Sequence, residues 1–129
     1  MKIVRETYGN QTHYGYYDEN EYFVFHREDG PAVIYSDGEQ KWYIHGKYHR
    51  EDGPAIFFAD GTQEWWFNGK VHREDGPAFF GPDGIQEWLF YGKEITNKVE
   101  YWLKDHNIDD WKTMTDEDKI ALGFFMRSL

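Results

Sequence analysis

The chain has 129 residues, which is the size of one small domain. Aromatic residues make up 20% of it, so the core must be built largely from rings, and a composition of this kind does not stay disordered. Twenty-four acidic against 14 basic residues give a net charge of −10, which argues against nucleic-acid phosphate or anionic lipid as a partner, and the absence of Cys excludes disulfides and thiolate metal sites.

The first ten residues lack the apolar stretch of a signal peptide, and no apolar run reaches the roughly 20 residues of a membrane span. A cytoplasmic protein without membrane contact is expected. Residues 1–25 form a divergent capping hairpin in this reading. Tyr14 to Tyr17 pair with Glu21 to Phe25 across an Asp18-Glu19-Asn20 turn.

A repeat follows. The string H-R-E-D-G-P-A begins at His26, His49 and His72, with a period of 23, and defines units 26–48, 49–71 and 72–94. Each unit also holds Asp-Gly, then Gln, Trp and Gly-Lys in the same order. Each reads as one β-hairpin. In the second unit, Ala55 to Ala59 is one strand, Asp60-Gly61 a two-residue turn, and Thr62 to Asn68 the return strand. Gly69-Lys70 and the following Gly-Pro then break the sheet.

Counting outward from a two-residue turn places Trp65 and Phe67 opposite Ile56. The Trp row (Trp42, Trp65, Trp88) keeps its chemistry in every unit and is expected in the core. The other face carries Tyr43, Trp66, Glu64 and Glu87 beside Ala32, Ala55 and Ala78, with Tyr91 nearby. Rings among small residues and acids make a shallow groove. Tyr43, Trp66, Tyr91, Glu64 and Glu87 are therefore the candidate partner-binding residues.

After Glu94 the period changes to that of helices. Thr96 is placed as the N-cap of a helix through about Asn107, with Val99, Trp102, Leu103 and His106 on one face. A second helix starts near Thr115, where Asp and Glu favour the positive end of the dipole. Ile120, Ala121, Phe124, Phe125 and Leu129 give its apolar stripe. Residues 95–129 are thus a helical hairpin that caps the array, its alternative use being a partner surface.

The fold class that results is mainly β: an elongated antiparallel sheet of stacked hairpin repeats with a C-terminal α-helical hairpin. The His and Asp of H-R-E-D invite a metal reading. A repeat, however, spaces equivalent ligands two strands apart, about 10 Å, whereas a metal needs them to converge. A structural ladder of Arg–acid pairs and turn acids is expected instead. No catalytic motif, metal site or cofactor-binding loop is recognised.

A 23-residue hairpin unit with this Gly, aromatic and Gly-Lys pattern resembles the MORN repeat (membrane occupation and recognition nexus), in the H-R-x-D-G-P-A variant of small phage and bacterial proteins. The resemblance covers residues 26–94 and implies a binding or scaffolding role rather than an enzyme. Together with the size and acidity, it leads to the expectation of a non-catalytic protein-binding module. A phage-encoded inhibitor of a host enzyme or a CRISPR-type defence complex is the favoured form. The alternatives are a nucleotide- or sugar-binding protein that uses the aromatic groove, and an antitoxin-like partner protein. A homodimer is left open. Segment charges of −2, −1, −2, −3 and −2 along the chain show no dense acidic block.

Overall fold

The turn that contains each Asp-Gly pair holds three residues, not two. In the computed structural model, which describes residues 1–129, Phe58 donates its N–H to the Thr62 carbonyl at 2.9 Å. Gly61 donates back to the Phe58 carbonyl at 3.0 Å, and its φ of 91° is one that Gly adopts without strain. A tight turn followed by a left-handed Gly is the three-residue hairpin. Ile56 therefore faces Glu64, and Phe57 faces Gln63. The two-residue turn put Trp65 opposite Ile56. That register is off by one, and one residue is enough to exchange the faces of paired side chains.

Each unit contains a second hairpin. In the first unit, β4 (Val33–Tyr35) pairs with β5 (Gln40–Lys41), and β6 (Tyr43–Ile44) pairs with β7 (Lys47–Tyr48); these follow the N-terminal strands β1 (Val4–Tyr8), β2 (Gln11–Tyr17) and β3 (Phe23–Phe25). The second unit repeats this with β8 (Ile56–Phe57), β9 (Gln63–Glu64), β10 (Trp66–Phe67) and β11 (Lys70–Val71). The third does so with β12 (Phe79–Phe80), β13 (Gln86–Glu87), β14 (Leu89–Phe90) and β15 (Lys93–Glu94). The extra turns are His45-Gly46, Asn68-Gly69 and Tyr91-Gly92. Both residues of each have positive φ, as a two-residue turn of the primed type requires. Gly69-Lys70 thus continues pairing where a break was expected.

One nine-stranded sheet runs β1-β2-β4-β5-β8-β9-β12-β13, with β3 also on β2. The ribbons β6–β7, β10–β11 and β14–β15 flank it and are tied in series. Gly46 donates to the Phe25 carbonyl, Gly69 to Tyr48 and Gly92 to Val71, at 2.7–2.9 Å. At the N-terminus, β2 pairs with β3 as the sequence indicates, but the turn is Glu19-Asn20-Glu21 rather than Asp18-Glu19-Asn20: Asp18 donates to the Tyr22 carbonyl at 2.9 Å, Glu21 takes the positive φ, and Tyr17 faces Phe23. Strand β1, joined to β2 through Gly9-Asn10, was not anticipated.

Burial corrects the two faces. Ala32, Ala55 and Ala78, expected beside an open groove, are fully buried, together with Val33 and Ile56. Trp42 and Trp65, expected in the core, are half-buried. The guanidinium of the next unit covers each one: Arg50 lies 3.9 Å from the Trp42 ring and Arg73 3.7 Å from Trp65, while Arg27 covers Tyr14 at 4.0 Å. Only Trp88 is fully buried. The position corresponding to Arg50 and Arg73 is there Thr96, and the helices replace the missing Arg.

Helix α1 spans Thr96–Asp105 and α2 Asp116–Arg127. Thr96 does not cap α1; its Oγ accepts the Trp88 N–H at 2.9 Å, and Ile95 holds the cap position without a side-chain bond. The start of α2 is as read from sequence, with Thr115 and Asp118 forming a reciprocal capping box. Val99, Trp102 and Leu103 pack with Leu122, Met126, Met114, Ile95 and Trp88 into one cluster. His106 instead stays exposed, its ring 3.9 Å from that of Trp102. The predicted stripe of α2 is also corrected. Leu122 and Met126 face the core, Phe125 packs partly against it, and Ile120, Ala121, Phe124 and Leu129 are exposed. No helix is long and apolar enough to cross a membrane.

Candidate partner-binding surfaces

The H-R-E-D-G-P turns are built from bonds that recur at each unit. The Nδ1 of His26, His49 and His72 accepts the backbone N–H of His45, Asn68 and Tyr91, at 2.9, 3.0 and 2.9 Å. Each donor is the first residue of a left-handed turn, so the histidine secures the backbone where it is most constrained. The Nε of Arg27, Arg50 and Arg73 donates to Asp29, Asp52 and Asp75 at 3.1, 3.0 and 2.8 Å. Their Nη1 donates to the carbonyls of Pro31, Pro54 and Pro77, each at 3.2 Å. The acid beside each His is the Glu two residues on, at 3.6, 3.7 and 3.3 Å, not the Asp. No group of three potential metal ligands converges anywhere. The bond from Arg50 holds the Asp52 carboxyl below its usual range.

Burial pushes His72 below the ordinary histidine value, against the opposing pull of Glu74; burial and then the charge of His45 do the same to His26. Both rings are therefore neutral in the fold when the unfolded chain already takes up protons. Their contribution to stability is complete above about pH 6.5, the unfolded value, and is lost as pH falls below it toward the folded one. The melting temperature should fall from pH 7 to pH 5, and His72→Gln should flatten that slope. An unchanged slope in the variant would remove His72 as its source.

The structure groups four of the five predicted partner residues and separates the fifth. Tyr43 and Trp66 occupy equivalent positions and join a ring ladder, Phe25–Tyr43–Tyr48–Trp66, with centroid spacings of 5.1, 4.5 and 5.1 Å. The indole N–H of Trp66 donates to Glu64 at 2.9 Å. Glu64 and Glu87 share one face of the sheet, since both register with Phe79. Burial first, then the bond with Tyr48, pushes the Tyr43 hydroxyl well above its usual range. Both Tyr43 and Trp66 are half-buried. Tyr91 lies elsewhere. It corresponds to His45 and Asn68, is exposed at its turn, and stacks on His72 at 3.7 Å. It lines a concavity with Phe67, the neighbour of Trp66 in β10 that points to the opposite face.

Sequence reasoning missed the concavities between successive turns. One, about 490 Å³, lies between the Arg27 and Arg50 turns over Trp42 and Ile44. Its counterpart, about 420 Å³, lies between the Arg50 and Arg73 turns over Trp65 and Phe67. The signal was present in the alternation of an aromatic residue with an Arg-Glu-Asp run at one fixed spacing. Comparison of the chain with protein-family models, with curated proteins and with solved structures finds no match.

Proposed function

We propose that the protein is a non-catalytic protein-binding module built on MORN-type units, encoded by phage as an inhibitor of a host enzyme or a CRISPR-type defence complex. The observation that carries the binding role is the translation of one arrangement along the sheet. The same Arg–ring stack, His-to-backbone bond and Arg–Asp pair recur from unit to unit, and they leave the same concavity between turns. A surface repeated at about 10 Å intervals is long and shallow, which suits a polypeptide better than a small molecule. The side chains that look reactive are held in these structural bonds. The phage and inhibitor parts rest on the sequence resemblance, the size and the net charge.

The test uses the purified full chain as bait in bacterial lysates, with quantitative mass spectrometry, and its expression in cells with active phage defence. The expected result is stoichiometric capture of one host protein or complex and restored plating of a targeted phage. Capture of no protein, together with saturable binding of a nucleotide or sugar, would overturn the proposal.

A further inference from the structure

Four concavities lie in sequence along the H-R-E-D turns, and consecutive ones share their walls. Arg27, Glu28 and Asp29 border both the first, of about 510 Å³, and the second. Arg50 and Glu51 border the second and the third. Glu74 and Asp75 border the third and a fourth, of about 420 Å³, formed with α2. The result is a notched trough along the turns, from the N-terminal residues to the last helix, with each turn as a partition between neighbouring concavities.

Its chemistry changes along its length. Each turn Asp is matched by its own Arg, so the surplus charge is that of the glutamates. Glu28 and Glu51 are 80% and 75% exposed, and each has only a His Nε2 nearby, at 3.6 and 3.7 Å. At the fourth concavity, Arg127 binds Glu74, and Lys119 adds a further positive charge. There the surface turns apolar, with Ile120 61% and Phe124 69% exposed. In the first concavity, His26 is only 1% exposed, and its Nε2 has no hydrogen-bond partner. Because its Nδ1 accepts the His45 N–H, the Nε2 of the neutral ring is the protonated nitrogen, and it lies 3.6 Å from the Glu28 carboxylate inside the wall of the trough.

We infer that the trough seats an extended basic segment of a partner protein. Cationic side chains sit against Glu28 and Glu51, and an apolar side chain sits against Ile120 and Phe124. The step between turns is about 10 Å, and a segment in the extended polyproline-II form rises about 3.1 Å per residue with three residues per turn, so cations at every third position lie on one side about one step apart. Nucleic acid is repelled by the same carboxylates, and a second copy of this acidic chain brings like charge to them. The inference rests on the binding-module reading and assigns that reading its surface.

The probe is a synthetic 12-residue peptide with Arg at every third position among Ser and Thr and a Leu pair at one end, made in both orientations. A permuted peptide of the same composition is the control. Calorimetry with the full chain at low salt should show at least tenfold tighter binding of the spaced peptide in one orientation. The doubly substituted Glu28→Gln, Glu51→Gln chain should lose about tenfold in affinity and most of the salt dependence. The Ile120→Ser, Phe124→Ser chain should lose affinity only for peptides that carry the Leu pair. All four residues are exposed, and an unchanged far-UV spectrum verifies the fold. Equal binding of spaced and permuted peptides, unaltered binding by the Glu variant, or tighter binding of a single-stranded oligonucleotide would each overturn the inference. A captured protein partner that ignores the Glu variant overturns the trough alone and leaves the module reading standing; capture of no protein, together with saturable binding of a nucleotide or sugar, overturns both.

Discussion

Trp88→Ala should lower the free energy of unfolding by about 3–5 kcal/mol, the range for removing a buried aromatic ring. Trp88 is the one member of its row that no Arg covers. It is buried among Ile95, Val99, Trp102 and Met126, and Trp111 meets it edge-on at 6.3 Å. Its removal opens a cavity between the last unit and the helical cap, and both sides lose packing together. Trp42→Ala should cost less, since that ring is half-buried and its loss uncovers one face of Arg50 to solvent. Urea denaturation, followed by both tryptophan fluorescence and far-UV circular dichroism, measures the difference. A Trp88→Ala loss below about 1 kcal/mol, well under the cavity range, would show that the helices do not depend on this ring.

Gly15→Ala is expected to be at least as damaging, at roughly 3 kcal/mol or more, beyond the usual range for adding one methylene because the obstruction is backbone. Gly15 lies in β2, buried between two neighbours: it registers with Val4 of β1 on one side and Phe25 of β3 on the other. A Cβ at this position would overlap the carbonyl oxygen of Val24 and approach the Phe23 ring to 2.9 Å. The oxygen can move only if the β2–β3 ladder shifts, and that ladder carries Phe25 at the start of the ring ladder. Gly9→Ala is the control. It meets open space and carries only the strain of a positive φ, about 1 kcal/mol. If the two variants melt at the same temperature, β3 is not held against β2 as described.

The sequence made the period, the presence of hairpins, the β2–β3 pairing and the two helices legible, because each is set by local chemistry that the residues announce. Asp60-Gly61 announces a turn, and Thr115 with Asp118 announces a helix start. Register was not legible, since an Asp-Gly pair fits a two-residue loop or the end of a three-residue one. Asn68-Gly69 is a strong hairpin signal that the neighbouring Gly-Pro obscured. The core face of α2 was ambiguous because Ile120, Leu122, Phe124, Phe125 and Met126 crowd several sides of the helix. Of the candidate surface, Tyr43, Trp66, Glu64 and Glu87 were grouped correctly by alternation. Tyr91 was misplaced because the additional turn carries it to the other side of the ribbon.

The Arg–ring stack has a consequence for how such a protein can change its length. Arg50 rests on the ring one unit back, Trp42, and Arg73 rests on Trp65 in the same way. Every junction is thus a nearest-neighbour contact of one kind, and the molecule behaves as a short one-dimensional lattice. Excision of residues 49–71 would bring Arg73 onto Trp42 and His72 beside the Trp42 carbonyl, reproducing the junction that was removed. Duplication of the same segment would insert a further junction of identical type. Copy number is then a free parameter that sets the reach of the protein in steps of about 10 Å, two strand spacings, while both end caps stay as they are.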